Sequence, residues 1–351
     1  MKDGTDDIAT HVVRWQKEHG RNHLPWQNTR DPYRVWLSEI MLQQTQVTTV
    51  LDYYARFLAR FPDVKALAEA PQDDVLALWS GLGYYSRARN LHRCAQQVMS
   101  EFGGQFPRTV PELSSLPGIG RSTAGAIASF CFGERVAILD ANVRRVLTRV
   151  LGFDADLAVA ANERRLWDCA EQLLPTSDLD NAMPRYTQGL MDLGAGVCTP
   201  RAPACLVCPL HERCVASREG QPERFPVRTR KLKRSAQSWW LLLLRDASGR
   251  LWLERRPDSG IWAGLYCPPV FSDMAALAAW AGSTNELQEL PVVTHVLTHR
   301  DLYLHPVVGK ARAAPPMPVS PADASAGFFT PAEWEGLGLP APVRKLLRTL
   351  D

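Results

Sequence analysis

Four cysteines in one short stretch constrain this chain more than any other feature of its sequence. Their spacing is Cys198-x6-Cys205-x2-Cys208-x5-Cys214, and they follow an apolar stretch that predicts a helix. Thiolates are soft ligands that suit iron–sulfur clusters and zinc, and four of them in a compact loop can ligate one centre. Structural zinc ribbons usually pair two Cys-x2-Cys motifs, whereas this stretch has one. The spacing therefore favours a [4Fe-4S] cluster over zinc.

The same cysteines would form two disulfides only in an oxidising compartment. The chain begins MKDGTDDIAT, which is charged and has no apolar signal region, and no apolar run is long enough to span a bilayer. We therefore expect reduced thiols and a cytoplasmic protein. The other cysteines are dispersed, mostly in apolar surroundings, and are expected to be inert core thiols: Cys94, Cys131, Cys169 and Cys267.

A length of 351 residues predicts two domains, each large enough to bury its own core. The net charge of +3 is modest, so the distribution of charge is more informative than its sum. The segment 224–234, RFPVRTRKLKR, has six Lys or Arg residues and no acid. It is either a solvated linker or a connector that contacts phosphates. We place a first domain at 1–220, this basic linker at 221–235 and a second domain at 236–351.

The pattern of apolar residues predicts a multidomain protein with an all-α first domain and an α+β second domain. In the first domain, apolar residues recur at helical spacing over 33–60, 74–101, 122–132 and 142–151. In the second, SWWLLLLRD and GRLWLERRPD read as a hairpin joined by Ala-Ser-Gly, and THVLTHRDLYLHPVVG as further strands. DMAALAAWA and APVRKLLRTL predict helices, and the Pro- and Ala-rich piece 311–326 predicts a loop.

Gly118 and Gly120 lie in LPGIGRSTAGAIASF, at a tight turn before an apolar helix. Such a turn leaves backbone N–H groups free at the start of the helix, where they can bind a phosphate oxygen. A single Gly-x-Gly is usually only a turn, so its neighbours matter. In AILDANVRRVL an apolar run ends at Asp140 and a basic helix begins, which places Asp140 at the N-cap.

Asp140 and Glu39 are a candidate pair of catalytic carboxyl groups. An N-cap aspartate usually only caps, but a helix N-terminus also favours the ionised form, so Asp140 is expected to stay negative at neutral pH. Glu39 is flanked by apolar residues in VWLSEIML, and burial would raise its pKa toward that of a general acid. Glycosidic bond cleavage uses one persistent carboxylate and one protonated carboxyl group. The amides of Gln43 and Gln44 follow, and they suit base edges better than a core.

Five segments together resemble a known family. They are LSEIMLQQTQV, GLGYYSRARNL, LPGIGRSTAGAI, ILDANVRRVL and the four-cysteine loop. Their order is similar to that of the helix-hairpin-helix DNA glycosylases that carry an iron–sulfur cluster, and the resemblance covers nearly the whole chain. The LQQT segment and the C-terminal α+β domain are typical of the adenine-specific branch. The resemblance implies removal of adenine opposite 8-oxoguanine, or opposite guanine, from double-stranded DNA, with the adenine flipped into a pocket.

The resemblance also implies roles for individual residues. Glu39 would protonate the adenine at N7 and then help water add to the sugar. Asp140, oriented by Asn142, would stabilise the oxocarbenium ion or bond to it transiently. Gln44 and Tyr84 would wedge into the duplex near the oxidised guanine, although Tyr85 is an equivalent aromatic candidate beside Tyr84.

Further implied contacts to DNA are a backbone phosphate at Gly118 and Gly120 and base or backbone contacts at Gln43 and Ser122. The four cysteines would hold a [4Fe-4S] cluster that shapes a DNA-binding loop rather than carrying out redox chemistry. We expect a monomer of the bacterial cytoplasm that is associated with the nucleoid and binds no membrane.

Ser122 separates this interpretation from the nearest alternative, a pyrimidine glycosylase and lyase of the endonuclease III type. Those enzymes have a lysine at this position, whose amine forms a Schiff base with the sugar before the strand is cut. A serine cannot do so. We therefore predict a monofunctional glycosylase that leaves an abasic site.

The C-terminal domain resembles the Nudix fold, which the adenine-specific branch uses to sense oxidised guanine. It lacks the acidic helix that Nudix hydrolases need for metal-dependent cleavage of pyrophosphate, so nucleotide hydrolysis is not expected. The branch's Phe-Ser-His reading loop is Leu297-Thr298-His299 here, which keeps the hydroxyl and the imidazole and loses the aromatic ring. A non-catalytic iron–sulfur DNA-binding regulator is a further alternative, but it gives no reason for Glu39 and Asp140 to occur together.

Overall fold

A computed structural model describes residues 6–229, 233–282, 286–310 and 326–350. Positions 311–325 of the predicted loop 311–326 and positions 230–232 of the predicted linker lie outside the described residues. The chain forms two compact units. The first comprises Met1–Gln46, Asp63–Lys65 and Cys94–Lys231, and the second comprises Val47–Pro62, Ala66–Arg93 and Leu232–Asp351. The second unit therefore contains helical segments of the N-terminal half in addition to the predicted C-terminal domain.

The regular elements follow the predicted order of helices first and strands later. The helices in the described residues are α1 (Asp6–His19), α2 (Pro32–Leu42), α3 (Val47–Arg60), α4 (Val64–Glu69), α5 (Gln72–Trp79), α6 (Ser86–Phe102), α7 (Val110–Ser115), α8 (Arg121–Phe132), α9 (Ala141–Leu151), α10 (Ala160–Gln172), α11 (Leu179–Asp192), α12 (Val215–Arg218), α13 (Met274–Ala281), α14 (Pro331–Glu335) and α15 (Ala341–Arg348). The strands are β1 (Ser235–Arg245), β2 (Leu251–Arg255), β3 (Tyr266–Cys267), β4 (Val270–Phe271), β5 (Leu287–Glu289), β6 (Val293–Val296), β7 (Arg300–Lys310) and β8 (Gly327–Phe329). No helix among the described residues is long and apolar enough to cross a membrane.

Two predicted helices are each interrupted once. The segment 33–60 forms α2 and α3, and the segment 74–101 forms α5 and α6. At the first interruption Gln44 has φ +56°, and at the second Tyr84 has φ +48°, both in the left-handed region that non-glycine residues rarely occupy. A residue in that conformation cannot continue a right-handed helix. The continuous-helix prediction was therefore wrong at the two positions where wedge residues are predicted.

The first unit is a helical core around α9, which buries Val143, Val146, Leu147 and Val150. α1 packs on α11, and α8 packs on both α2 and α11. The contact between α1 and α11 is close because Gly189 has no side chain: a Cβ there would lie 2.6 Å from Val12 Cγ1. This packing fixes α2, α9 and α11, which carry the candidate site, relative to one another.

The second unit is built on a mixed sheet with strand order β3-β2-β1-β7-β5. β1 pairs with β7 in parallel along its whole length, from Ser235 opposite Arg300 to Arg245 opposite Lys310. β1 and β2 form the predicted antiparallel hairpin, and the predicted helices are present as α13 and α15. Leu277 of α13 packs with apolar side chains of β1 and β7, so α13 covers one face of the sheet. The predicted α+β class of this part is confirmed.

Candidate active site

Glu39 lies in a helix that is apolar on almost every side. α2 begins at Pro32, and the preceding Asp31 caps it by accepting a hydrogen bond from the Tyr33 backbone N–H at 2.9 Å. Its buried residues include Val35, Trp36, Leu37, Ile40 and Met41. Burial, and secondly the charge of Asp140, raise the pKa of Glu39 from an ordinary 4.5 to about 8. Glu39 is therefore protonated at neutral pH, as a general acid must be.

Glu39 lines a cavity of about 620 Å³, a size typical of pockets for small ligands. The wall is formed mainly by the end of α1 with the segment that follows it, by α2 and by α11, and Phe130 of α8 adds to it. It is rich in amides, because Gln16, Gln27, Asn28 and Gln188 all line it. Asp140 is not one of the lining residues, although its charge acts on Glu39. The cavity thus has a protonated acid in its wall and a second carboxyl group close enough to affect that acid.

Gln27 and Gln188 are the lining amides with the clearest role. Both amide atoms of Gln27 are buried, and neither has a hydrogen-bond partner among the described residues. A buried amide without partners costs free energy unless a ligand satisfies it. Gln188 donates from Nε2 to Asp192 Oδ1 at 2.9 Å. Neither glutamine was identified from the sequence, because nothing in their local patterns separates them from surface glutamines.

Asp140 is the N-cap of α9, as predicted, and accepts a hydrogen bond from the Val143 backbone N–H at 2.7 Å. The helix start and the nearby Arg144 and Arg145 lower the pKa of Asp140, but burial outweighs them and the net direction is upward. The helix start therefore stabilises the Asp140 carboxylate as expected, but burial destabilises it by more. The charge of Asp140 in turn raises the pKa of Glu39, so the two carboxyl groups interact electrostatically.

Asn142 contacts Asp140 through its backbone N–H, which lowers the pKa of that carboxyl group. Its side-chain Oδ1 instead accepts a hydrogen bond from Arg145 Nη2 at 2.9 Å. The same guanidinium donates from Nε to the backbone oxygen of Cys198 at 2.7 Å. Arg145 is a buried residue that was not predicted from the sequence, and it links the start of α9 to the cysteine loop.

The four loop cysteines line one common cavity: Cys198, Cys205, Cys208 and Cys214. Arg149 of α9 is almost fully buried and donates from Nη1 to Cys198 Sγ at 3.3 Å and to the Thr199 backbone oxygen at 2.7 Å. Within the described part of the chain, no three His, Cys, Asp or Glu side chains are close enough to hold a single metal ion. The described cysteines are all unpaired, so the disulfide alternative has no support.

The turn at Gly118 and Gly120 has the predicted form. Gly118 has φ +79°, and Gly120 is the N-cap of α8, with open space where a side chain would be. Ser122 in the first turn of α8 accepts a hydrogen bond at Oγ from the Leu139 backbone N–H at 3.1 Å. Ser122 therefore ties α8 to the residue before Asp140.

The second unit brings Tyr84 and Thr298 together, although 214 positions separate them in the chain. The two hydroxyl groups are 2.8 Å apart. Both residues line a cavity of about 820 Å³, together with His299 and other residues of this unit. Tyr84 is 44% exposed, whereas Tyr85 is buried and donates its hydroxyl hydrogen to the Leu339 backbone oxygen at 3.1 Å. Of the two adjacent tyrosines, Tyr84 is thus the one available to a partner.

This fold and site define a base excision repair protein of the helix-hairpin-helix class. Residues 37–172 match the family profile of the HhH-GPD superfamily base excision DNA repair proteins, and residues 240–349 match that of the NUDIX domain. The chain is 36% identical over 301 residues to an adenine DNA glycosylase of Buchnera aphidicola subsp. Acyrthosiphon pisum, covering 85% of each. It is 33% identical to the adenine DNA glycosylase of Homo sapiens, covering 96% of this chain and 72% of the human protein. The chain therefore belongs to the adenine DNA glycosylase family and is a DNA glycosylase.

Solved structures agree with this fold. A thermostable thymine-DNA glycosylase is 27% identical and covers 62% of this chain and 97% of its own, with a TM-score of 0.53. An endonuclease III in a non-covalent complex with DNA is similar in fold, with 21% identity and a TM-score of 0.50.

Proposed function

We propose that this protein hydrolyses the N-glycosidic bond of adenine opposite 8-oxoguanine, or opposite guanine, in duplex DNA and leaves an abasic site. The main observation in support of this proposal is the pair of carboxyl groups of Glu39 and Asp140. Glu39 lies in a cavity wall with its pKa raised to about 8, and Asp140 caps a helix N-terminus whose backbone N–H groups, with Arg144 and Arg145, favour its carboxylate. Glycosidic cleavage requires one protonated carboxyl group and one carboxylate, which are the roles we propose for Glu39 and Asp140. The relatives named adenine DNA glycosylase supply the identity of the base.

The mechanism begins with an adenine that is flipped out of the duplex and enters the cavity of Glu39. Glu39 donates its proton to N7 of the base, so that the base leaves with the electron pair of the glycosidic bond. Asp140 stabilises the resulting oxocarbenium ion or bonds to it transiently. The Glu39 carboxylate then takes a proton from the water that adds to the sugar. Gln27 and Gln188 would bind the polar edge of the base, since both line the cavity.

The proposed contacts to DNA follow from exposure and backbone geometry. Gly120 presents open backbone at the start of α8, and Gly118 lies in the turn before it with positive φ, which suits a phosphate. Gln44 and Tyr84 occupy turns with positive φ at helix interruptions, which suits side chains that wedge into a duplex. Gln43 ends α2 beside Gln44. Thr298 and His299 would read the base opposite the adenine.

A duplex containing adenine opposite 8-oxoguanine tests the proposed function directly. Under single-turnover conditions we expect adenine release, with strand breaks that become visible only after alkali. Adenine opposite thymine is the control and should not be released. Efficient strand cutting without alkali would instead support the endonuclease III type of reaction, which Ser122 disfavours because its hydroxyl cannot form a Schiff base.

We propose that the four loop cysteines hold a [4Fe-4S] cluster. Such a cluster binds one thiolate on each iron, so its ligands are farther apart than the ligands of a single ion, and all four cysteines face one cavity. Arg149 donates a hydrogen bond to Cys198 Sγ, as a charged donor beside a cluster thiolate would. The bound cluster would fix the loop conformation through its iron–sulfur bonds. The residues present therefore fit this cofactor.

Replacement of one ligand should remove the cluster. For Cys205→Ala we expect loss of the visible absorption and bound iron of the purified protein, and a lower melting temperature, because metal binding contributes to folding. Cys169→Ala is the matched control, since Cys169 is a partly exposed cysteine outside the loop. Unchanged iron content in Cys205→Ala would exclude Cys205 as a ligand.

Thr298→Ala should reduce the preference for 8-oxoguanine over guanine. The change removes the hydroxyl that contacts Tyr84, and a single hydrogen bond contributes about 0.5–1.5 kcal/mol, or roughly 2- to 10-fold in rate ratio. The measurement is the single-turnover rate of adenine release opposite each guanine. Tyr84→Phe deletes the other partner of the same hydrogen bond and should give a similar change. An unaltered rate ratio in both variants would dismiss this contact.

A further inference from the structure

The cavity of Glu39 is larger than one purine base and reaches the protein surface. Its volume of about 620 Å³ is in the range of pockets that enclose a drug-sized molecule. Three of its lining residues are exposed, namely Asn28, Asp180 and Asn181, and these three form a rim of the cavity. Glu39 is therefore connected through the cavity to solvent at this rim.

The helix α8 shows how far the rim lies from the proposed DNA contacts. Gly120, in the turn proposed to bind a phosphate, is the N-cap of α8. Gly133, just after the end of α8, lies against Asp180, because a Cβ on Gly133 would be 2.7 Å from Asp180 Oδ1. The 12 residues of α8 span about 18 Å at a helical rise of 1.5 Å per residue. The rim is thus a full helix length away from the phosphate turn.

The helix α11 gives the same direction. Just after its end lies Gly194, where a Cβ would be 2.5 Å from Asn142 Cβ at the start of α9. Its first turn carries Asp180 and Asn181 of the rim, and its 14 residues span about 20 Å. Arg30 Nη2 donates to the Asp180 backbone oxygen at 2.8 Å, which joins the segment before α2 to the start of α11. The rim therefore lies on the side of this unit away from the start of α9.

In the proposed reaction the entrance on the DNA side is occupied when the base becomes free. The adenine enters as part of a flipped nucleotide, and after cleavage the abasic sugar is still attached to the bound duplex. The proton from Glu39 and the electron pair of the broken bond leave the departing adenine neutral. Amides can donate to and accept from such a base, and Asn28 and Asn181 extend the amide lining of the cavity to the rim.

We propose that the free adenine leaves through the rim while the abasic duplex remains bound, so that the two products depart separately. The inference rests on the proposed function, since adenine is the product of that reaction. Its structural basis is the connection from Glu39 to a solvent-exposed opening about 18 Å from the phosphate turn. The DNA-contact surface can then continue to cover the abasic site after the base has gone.

A duplex with one radiolabel in the adenine and a second in the strand tests this order of release. After a single turnover, samples are passed through a membrane that retains the protein with its bound DNA, and parallel samples are quenched in acid to measure bond cleavage. For the wild-type protein we expect the adenine label to pass through as fast as the bond is cleaved, while the strand label stays on the membrane. Departure of both labels together would overturn the proposal.

Asn181→Trp and Asn28→Trp should each narrow the rim, from two different elements of the fold. In both variants we expect the rate of bond cleavage to stay at the wild-type value and adenine departure to slow to the rate at which the duplex dissociates. Either variant serves if the other does not fold. Adenine departure that remains as fast as cleavage in both variants would overturn the proposal, because the base would then leave by another route.

Asn162→Trp is the matched control for these variants. Asn162 is the third residue of α10, as Asn181 is the third residue of α11, and it is not among the residues that line the cavity. Its adenine should depart as fast as that of the wild-type protein. Failure of the proposed function is distinguishable, because acid-quenched samples of the wild-type protein would then contain no free adenine.

Discussion

Glu39→Gln is expected to slow adenine release by about 10²- to 10⁴-fold, the usual contribution of a general acid. Glutamine has nearly the same size as glutamic acid and keeps a polar group in the cavity, but it has no proton to give to N7. Affinity for the mismatched duplex should be retained, because the contacts proposed for the backbone and the opposite base lie elsewhere. The measurements are the single-turnover rate and the dissociation constant for the same duplex.

The control for this change is Glu101→Gln, at an exposed glutamate near the end of α6. Its rate should equal that of the wild-type protein. Equal loss of rate and of DNA affinity in Glu39→Gln would indicate a binding role for Glu39 rather than acid catalysis.

The raised pKa of Glu39 predicts a pH dependence that a residue with only a packing role would not show. The active form has Glu39 protonated, so activity should be lost as the pH rises through about 8. The stability of the folded protein should also decrease with rising pH, because the pKa of Glu39 in the folded state lies above its ordinary value of 4.5. The contribution of Glu39 to stability is fully present below pH 4.5 and is lost as the pH rises through about 8. The melting temperature of Glu39→Gln, relative to wild type, should therefore increase over this range.

The sequence allowed prediction of those parts of the fold and site that depend on local pattern. Asp140 was identifiable because an apolar run ends there and a helix follows, and the structure shows the N-cap hydrogen bond. The β1–β2 hairpin was identifiable from two apolar runs and an Ala-Ser-Gly turn. The two helix interruptions were only partly identifiable. Gly81 and Gly83 mark the second with positive φ, whereas LQQTQV contains neither glycine nor proline at the first.

The remaining parts of the site depend on tertiary packing. The cavity of Glu39 takes most of its wall from α2, from α11 and from the end of α1 with the segment after it, and no local pattern predicts that these meet. The same holds for the hydrogen bond between Tyr84 and Thr298 and for the contact of Arg149 with Cys198. For Asp140 the local sequence pattern predicted the N-cap but not the direction of the pKa shift. The helix start lowers its pKa, but the burial that outweighs this effect comes from the surrounding helices.

Asp140→Asn is expected to slow adenine release by about 10³-fold or more, because it removes the negative charge that stabilises the oxocarbenium ion. The structure makes this change unusually specific. Asparagine is as good an N-cap as aspartate, so the hydrogen bond from the Val143 backbone N–H and the start of α9 should be kept. The melting temperature should therefore change little, while the single-turnover rate of adenine release should fall strongly.

Two further measurements separate loss of charge from loss of structure. Asp273→Asn is the matched control, because Asp273 caps α13 in the same way, accepting from the Ala276 backbone N–H at 2.8 Å, and lies in the other unit. It should keep full activity. In Asp140→Asn the pKa of Glu39 should fall, since the charge of Asp140 is one of the two causes that raise it. The pH at which any residual activity disappears should then move below about 8, and an unmoved profile would mean that the two carboxyl groups do not act as a pair.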